Sequence, residues 1–467
     1  MNKVGDQKTF IKSIYHLSKS CGVCVILYLL FCHKGLAQEQ PIKQLQDGLD
    51  SLTLEMAIAF ALENNHQIRV SRINTEIAEN NVFPGNAGLL PQLFVEGSAN
   101  PAIQDIDIEF AVPDQPPISQ RDAYSISADA AVGVSYNLFD GRSKFHAFER
   151  LKEERGATRA QSGAEIENTL LTVINTYLEV ARIEQEYNIN LNMVELSQRR
   201  LERASVGYEF GTETRLGVLN AEVDLNADSV TLIRSLQNLE NEKRNLNILL
   251  GRSPEEAIRV MTQVEINTAI DMDFILESAY ERNQQLQQAR YNQNIAELDI
   301  QTARAAFWPI IDLNASYGLM HQFNEAGFIR RQDMQGFMGG VTFRYNIFSG
   351  RQRSVQARNA RLTRDMQAEQ AAQIKKEIER DILNSYTNYR NTLFLLELER
   401  RNIKTAQANF ERTQEEYNIG QATTTQFREA QVNLSSAELS IAEQLYQAKL
   451  AEVELYKIAG ILIQETR

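Results

Sequence analysis

The sequence predicts an α+β membrane protein in which transmembrane β-strands continue into very long helices, and in which this unit occurs twice. The main observation is a seven-residue segment that appears as YNLFDGR at residues 136–142 and as YNIFSGR at residues 345–351. Before each copy, apolar and polar residues alternate with the period of a strand. After each copy, a long segment without proline has the heptad period of a coiled coil. Each copy therefore marks a junction between a strand and an unusually long helix.

The N-terminal segment has the features of a secretory signal peptide. Four lysines lie among the first 20 residues, and the apolar run that follows, residues 21–32, is too short to span a bilayer. A signal anchor would need a longer apolar run, and a lipoprotein would need a small residue in place of Phe31 before Cys32. We therefore predict a signal peptide at residues 1–37, removed after Ala37.

Removal of this segment changes the chemistry of the mature chain. All three cysteines lie within it, so the mature chain has neither a disulfide nor a cysteine metal site. The remaining 43 basic and 60 acidic side chains give a net charge of −17, which argues against nucleic acid as a partner. No later run is long and apolar enough for a membrane helix, so membrane contact must use strands.

The first structural repeat is predicted at residues 38–251. It begins with an amphipathic helix that Thr53 caps, and two strands follow at about 91–100 and 123–139, separated by a proline-rich loop. The second strand alternates most clearly, with apolar residues on one face and small or polar residues on the other. Its apolar face consists of Tyr124, Ile126, Ala128, Ala130, Val132, Val134, Tyr136 and Leu138. A soluble half-buried strand shows the same alternation, but the aromatic ends and the export signal favour a barrel strand.

A helical hairpin is predicted at residues 142–250. Apolar residues step by three and four along its first helix, which as a single helix would be about 100 Å long. This seam consists of Ile166, Leu170, Val173, Tyr177, Val180, Tyr187, Leu191, Val194 and Leu201. Gly211 marks the turn to the return helix. A second apolar set flanks the seam, so the helix can contact neighbours on both sides, as in a helical barrel.

The second structural repeat, residues 252–467, matches the first at fixed offsets. It contains a helix, two predicted barrel strands at about 310–320 and 336–348, and a helical hairpin at 351–460. Four strands cannot close a barrel, since the smallest single-chain barrels need eight. Because lipid does not tolerate an open strand edge, several chains must combine their strands. The sequence thus predicts an oligomeric duct with a strand-built end in a membrane and a helical end in water.

The turns of the two hairpins share a second motif. In each, a Tyr lies three residues before a Gly, and an Ala lies four residues before a Leu. The motif residues are Tyr208, Gly211, Leu219, Ala221 and Leu225 in the first hairpin, and Tyr417, Gly420, Ala430 and Leu434 in the second. With the paired junctions, these duplicated motifs make the sequence resemble the TolC-like outer-membrane efflux protein family across essentially the whole mature chain.

The resemblance implies a homotrimer with a twelve-stranded barrel in the outer membrane and a twelve-helix barrel in the periplasm. Such proteins are passive exit ducts of tripartite efflux systems, and they dock a periplasmic adaptor and an inner-membrane pump. The motif residues at the turns are then expected to dock the adaptor, with Ala221 and Ala430 leaving grooves between helices. The structural alternative is that the glycines only permit a tight turn.

The resemblance also suggests a gate at the periplasmic mouth. Many members of the family place two acidic residues there, whereas this sequence has Gln426 and Glu429, three residues apart on one helix face. A solvent-exposed Glu near a helix N-terminus is the alternative. Further candidate residues are the interfacial anchors Tyr124, Tyr136, Trp308 and Tyr345.

No catalytic residue, metal site or cofactor is predicted, because the sequence contains no HExxH motif, nucleophile elbow, P-loop or dinucleotide fingerprint. The exported cargo stays open between small toxic compounds, metal cations and a polypeptide, the last of which would make the chain a type I protein secretion channel. A protein of a different class, a secreted coiled-coil structural protein, would explain the heptads but not the two pairs of strands.

The strand orientation can be tested with an arginine scan. If Val132 faces lipid at the midplane, Val132→Arg should cost about 2–4 kcal/mol of stability, and Phe343→Arg should behave alike. Ala131→Arg should cost far less because its side chain would face the lumen. Unfolding in detergent–lipid mixtures measures the difference. Equal tolerance of Arg at residues 131 and 132 would refute the orientation.

Overall fold

The computed structural model describes residues 51–111, 115–326 and 329–465. The predicted signal peptide, residues 1–37, lies outside these ranges. In chain order the elements are α1 (Leu54–Asn64), α2 (His66–Asn81), β1 (Gln92–Ile108), β2 (Ile118–Phe139), α3 (Ser143–Glu209), α4 (Arg215–Leu249), α5 (Met272–Arg282), α6 (Gln284–Ala305), β3 (Ile310–Asn324), β4 (Arg331–Arg344), α7 (Gln352–Asn418), α8 (Thr424–Ile458) and α9 (Leu462–Glu465). Each half contains two short helices, two strands and a long helical hairpin in the same order.

One asparagine in each half connects the short helices to the return helix of the hairpin. The side-chain oxygen of Asn65 accepts from Gln67 N at 2.8 Å and so caps α2, while its amide nitrogen donates to the carbonyl of Leu249 at 2.7 Å. Asn283 caps α6 in the same way and donates to the carbonyl of Ile458 at 2.9 Å. Each asparagine therefore satisfies backbone groups at two helix ends that would otherwise be unpaired.

The four strands form one antiparallel sheet in the order β1-β2-β3-β4, so β1 and β4 are its edges. The strands extend beyond the predicted bounds at the end of the sheet far from the helices. β1 continues to Ile108 and β2 begins at Ile118, so most of the predicted loop is strand. Pro101 misled the prediction, because proline is tolerated on an edge strand such as β1.

In the second half the predicted strand bounds were wrong at both ends of β4. This strand begins at Arg331 and ends at Arg344, instead of running from about 336 to 348. Residues 345–348 of the repeated segment are therefore outside the sheet, whereas their counterparts in the first copy are the last residues of β2. Residues 136–139 of the first copy pair with β3, for example Tyr136 with Leu313, whereas β4 ends with Arg344 opposite Ile310, the first residue of β3.

The strand register separates an apolar face of the sheet from a polar face. One row of directly paired residues across the four strands consists of Val95, Val132, Tyr317 and Phe337. A second row of directly paired residues lies five positions farther along each strand, and because this number is odd, its side chains are on the opposite face. This row consists of Asn100, Ser127, Gln322 and Gln332. The apolar face is exposed in the single chain, as Val95 at 80% and Phe337 at 74% exposure illustrate. This is the alternation of a membrane barrel strand.

Both strand-to-helix junctions use two successive left-handed residues. Gly141 and Arg142 have φ angles of 71° and 74°, and Gly350 and Arg351 have 59° and 65°. The first junction needs glycine for space as well, since a Cβ at Gly141 would lie 2.6 Å from the carbonyl oxygen of Ala305. The repeated Gly-Arg pair thus turns the chain sharply from the sheet into the helix.

The paired helices of the two hairpins have equal lengths. The outgoing helices α3 and α7 both contain 67 residues, and the return helices α4 and α8 both contain 35. The predicted seam of α3 is buried in its middle section, where Leu170, Val173 and Tyr177 are at most 1% exposed. At about 1.5 Å per residue, each outgoing helix extends about 100 Å from its junction. In the part of the chain that the structure describes, no helix is sufficiently long and apolar to cross a bilayer.

Tyrosine hydroxyls from the long helices hold the segment that joins the two halves. Tyr177 OH in α3 donates to the carbonyl of Leu52 at 2.7 Å and accepts from Met261 N at 3.2 Å. In the second hairpin, Tyr446 OH donates to the carbonyl of Thr262 at 3.0 Å, and Tyr389 OH donates to the carbonyl of Asn267. These rings belong to the main hydrophobic core, so the connecting segment is bound around the middle of the helices. Burial raises the pKa of Tyr177 to about 12.

Glu167 is an acidic residue buried near this core. Its side chain is only 6% exposed, and burial raises the pKa of its carboxyl from 4.5 to about 7, an effect that nearby Lys457 partly opposes. Between these two pH values the unfolded chain has lost this proton and the folded chain retains it. Stability from this group is therefore greatest below pH 4.5 and declines as the pH rises to about 7.

Glu167→Gln should remove this pH dependence. The variant stays neutral, so at about pH 8 it should be more stable than the parent by about 3 kcal/mol, while the two should be alike at about pH 4. The apparent unfolding midpoint followed by circular dichroism measures the difference. Glu202→Gln, at an exposed position of the same helix, is the matched control. An equal response of both variants to pH would contradict the prediction.

Candidate functional site at the helical tips

The two hairpins turn through short loops with the same construction. Gly211 and Gly420 occupy the left-handed region, with φ angles of 73° and 77°. In the first loop the hydroxyl of Thr214 accepts from Gly217 N at 3.0 Å. In the second, Thr423 and Gln426 form a reciprocal capping box, in which Thr423 N donates to Gln426 Oε1 at 2.8 Å. The glycines end the outgoing helices and the threonines begin the return helices.

A small aromatic cluster stabilises the second tip. The ring of Tyr417 stacks on that of Phe427, with centroids 4.7 Å apart and planes 3° apart. The ring of Phe410 also stacks on Phe427, with centroids 5.7 Å apart. Ala430 is buried against this cluster, and Leu434 packs on it. The cluster is separate from the main core, so the tip has its own apolar packing.

Arg203 joins the two tips. From the end of α3 its guanidinium lies 4.4 Å from the centroid of the Tyr417 ring, in cation–π contact. The same group donates to the side-chain oxygen of Asn418 at 2.9 Å and to the carbonyl of Tyr417 at 3.0 Å. One side chain of the first hairpin thus binds both the ring and the free carbonyl end of helix α7.

A network of four charged side chains links three helices just behind the tips. Arg428 of α8 forms a bidentate ion pair with Asp228 of α4, at 2.7 and 2.8 Å. Arg200 of α3 is fully buried and pairs with Asp224 of α4. Burial lowers the pKa of Arg200, an effect that Asp224 opposes. Two arginines and two aspartates balance, so the network holds the hairpins together without a net charge.

The tip loops enclose a cleft of about 970 Å³ that is open to solvent. Apolar side chains project at its edge, where Phe210 is 79% and Leu216 66% exposed, and Ile419 beside it in the second loop is 70% exposed. Arg203 and Glu213 provide charge in the cleft. An exposed apolar rim around a polar cleft, at the end of a long hairpin, is typical of a surface that binds another protein.

The structure brings the predicted docking residues together at the tips, but it gives them different environments. Tyr208, Leu219, Gly211 and Gly420 are exposed, while Leu225, Tyr417 and Leu434 are half-buried. Ala221 and Ala430 are buried, at 0% and 3% exposure. The expectation that these alanines leave open grooves was wrong, because neighbouring helices of the same chain cover them.

The predicted gate residues also differ from each other. The side-chain oxygen of Gln426 accepts hydrogen bonds from Thr423, so it belongs to the helix cap. Glu429 is exposed, and no ion pair of its side chain is formed within the described ranges. In the same ranges, no three His, Cys, Asp or Glu side chains are grouped to hold a metal ion.

The predicted anchors lie at the two ends of the sheet. Tyr124 is near Phe323 at the end far from the helices, with ring centroids 6.4 Å apart. Trp308 and Tyr345 are exposed at the helical end, where Lys144 Nζ lies 4.6 Å from the centroid of the Tyr136 ring.

Sequence reasoning missed the charged residues of the tips, Arg200, Arg203, Asp224, Asp228 and Arg428. One signal was available. The α3 seam steps seven residues from Val194 to Leu201, and the intervening polar residue Ser197 is fully buried and hydrogen-bonded to Asp228. An interrupted seam indicates a buried polar network, although it does not reveal the partners on other helices.

The chain matches the family model described as outer membrane efflux protein over residues 57–252 and 275–461. It is 20% identical to the outer membrane protein TolC of Escherichia coli over 357 residues, which cover 74% of this chain and 72% of that protein.

Among solved structures, the chain is similar to the outer membrane channel CmeC of Campylobacter jejuni, with a TM-score of 0.70, 16% identity, and coverage of 88% of this chain and 86% of that one. The outer membrane protein VceC of Vibrio cholerae gives a TM-score of 0.68 at 16% identity, with coverage of 87% and 96%. Sheet, junctions and paired hairpins therefore form a known channel fold. The chain belongs to the outer membrane efflux protein family and is an outer-membrane exit duct of the efflux type.

Proposed function

We propose that three copies of the chain close one continuous duct, which the helical tips connect to a periplasmic adaptor protein and, through it, to an inner-membrane pump. The observation that carries the proposal is the open sheet with an exposed apolar face. β1 and β4 are the edges of four strands, and a barrel needs at least eight. Three copies supply twelve strands, which pair every edge and present the apolar face to lipid.

The helices support the same assembly. On α4, Val223 and Val230 are exposed seven residues apart, and Ile233 extends the stripe. On α7, Val355, Leu362 and Met366 are exposed at steps of seven and four. These are seam positions of a coiled coil with no partner in the single chain, and a neighbouring copy would supply one. The sheet and the helices therefore both have surfaces that a neighbouring copy would cover.

The tips provide the docking surface. Phe210, Leu216 and Ile419 are exposed apolar side chains that contribute nothing to the core of the hairpins. Arg203 and the charge network hold the two turns side by side, so a partner meets both at once. A helical adaptor that packs on this rim would bury the apolar side chains, which is the usual way in which amphipathic helices bind grooves.

The mouth of the duct would carry Glu429. Of the two predicted gate residues, only Glu429 enters this proposal, because Gln426 is engaged in its helix cap. Three copies would place three exposed carboxylates at one level, and such a ring favours the passage of cations.

The oligomeric state can be measured directly. Light scattering in mild detergent should give the mass of a trimer. Val223→Asp with Ile233→Asp should reduce the trimer fraction, because the charges would be placed in the proposed helical interface, whereas Thr231→Asp on the same helix should not. A monomeric parent protein would contradict the proposal.

Docking is tested at the two tip glycines. Gly211→Leu with Gly420→Leu places bulky residues in the left-handed region and distorts both turns, so crosslinking to the adaptor in cells should fall about tenfold or more. The trimer should still form, since the turns lie far from the sheet. Gly88→Leu is the matched control, because Gly88 also has a φ angle of 73° and free space around it. Normal crosslinking, or loss of the trimer in the tip variant alone, would show that these glycines are structural only.

A further inference from the structure

We infer that the level at which the sheet meets the helices is a binding surface for anionic phospholipid headgroups. Four chain segments cross this level, residues 81–91, 137–147, 302–312 and 344–354, because all four strands begin or end there. The inference concerns the lipid around the channel and depends on neither the adaptor nor the proposed trimer.

The charge at this level is opposite to that of the whole chain. The four segments contain six Arg and Lys residues and two Asp, in a chain with a net charge of −13. The basic residues are Arg142, Lys144, Arg304, Arg344, Arg351 and Arg353. A local excess of positive charge beside the lipid-facing surface of a membrane protein attracts negatively charged headgroups.

The fold uses two of these cations internally and leaves others free. Lys144 donates to the carbonyl of Asn137, and Arg353 donates to the carbonyl of Ala306 at 3.2 Å. Arg142 and Arg351, two residues earlier in each copy, are exposed. Within residues 51–111, 115–326 and 329–465, neither of their side chains forms an ion pair or a hydrogen bond. The same division between a bound and a free cation thus occurs at both junctions.

The two acidic residues do not cancel this charge at the surface. Asp140 is half-buried and its carboxylate accepts from Lys144 N at 2.9 Å. Asp312 is half-buried and accepts from the Asn137 amide at 2.8 Å. Both carboxylates are therefore held inside the junction, while the free guanidiniums project outward.

Exposed apolar side chains surround the free arginines. Trp308 is 62% exposed, packs against Gly141 and is in edge-to-face contact with Phe139 at 6.4 Å. Phe145, one turn beyond Arg142, is also exposed. The part of this belt with Arg142 and Trp308 lies at the two middle strands, β2 and β3. Arg351 follows the edge strand β4, where Phe348 is also exposed. Rings buried at the acyl boundary, with guanidiniums at the phosphate level, match one phospholipid leaflet.

The single tryptophan of the chain makes the surface measurable. The protein would be reconstituted in phosphatidylcholine vesicles that contain a minor fraction of brominated phosphatidylglycerol or, in a parallel sample, brominated phosphatidylcholine. Bromine quenches only nearby tryptophan, so the fluorescence of Trp308 reports which lipid is enriched there. We expect brominated phosphatidylglycerol to be enriched about fivefold over brominated phosphatidylcholine.

Arg142→Gln with Arg351→Gln should bring this ratio close to one. Trp308 should still be quenched by both brominated lipids, because it would remain in contact with the membrane. Arg199→Gln with Arg412→Gln, two exposed arginines near the tips, is the matched control and should keep the parent ratio. Three results would overturn the inference: equal quenching by the two lipids in the parent, an unchanged preference in the Arg142 and Arg351 variant, or no quenching of Trp308 by either lipid. None of these readouts involves export, so a negative result here would not contradict the proposed duct.

Discussion

A backbone N–H or C=O group without a partner costs several kcal/mol in hydrocarbon, and this cost determines the organisation of the chain. The sheet satisfies its inner strands, but β1 and β4 each leave one row of backbone groups open. The proposed assembly would satisfy these rows by bringing the edges of several copies together. The outgoing helices α3 and α7 begin within eight residues of the ends of β2 and β4, so the sheet determines where these helices start.

The internal repeat conserves the architecture and changes the details. Both junctions keep the left-handed Gly-Arg pair, but Asp140 of the first copy is Ser349 in the second, so the second junction has the larger positive charge. At the tips, the aromatic cluster belongs to the second hairpin alone, and Arg203 of the first hairpin binds to it. The two halves are therefore complementary partners within one chain, which a strict duplication could not provide.

Much of the fold was predictable because it depends on local periodicity. The alternation around Val132 and the heptads around Leu170 each report a single element with one buried or lipid-facing side, and the structure places these residues as expected. The ends of the strands were not predictable, since they depend on neighbouring strands: Pro101 is tolerated because β1 is an edge, and Tyr345 is outside the sheet because its partner strand β3 begins at Ile310. The tip was the least predictable part. Arg200, Asp224 and Arg428 lie on three helices, and no spacing along the chain shows that they meet.

The equal lengths of the paired helices have a consequence for how the protein can change. Because α3 and α7 both contain 67 residues and start from the same sheet, their ends reach the same distance from the membrane. An insertion in one helix alone would shift its turn along the helix axis relative to the turn of the other hairpin. This shift would break the contact between Arg203 and Tyr417. A change that preserves the contacts must add whole heptads, about 10 Å each, to every long helix of the chain at once. The periplasmic reach of such a channel is thus a discrete quantity, and it would vary between relatives in steps.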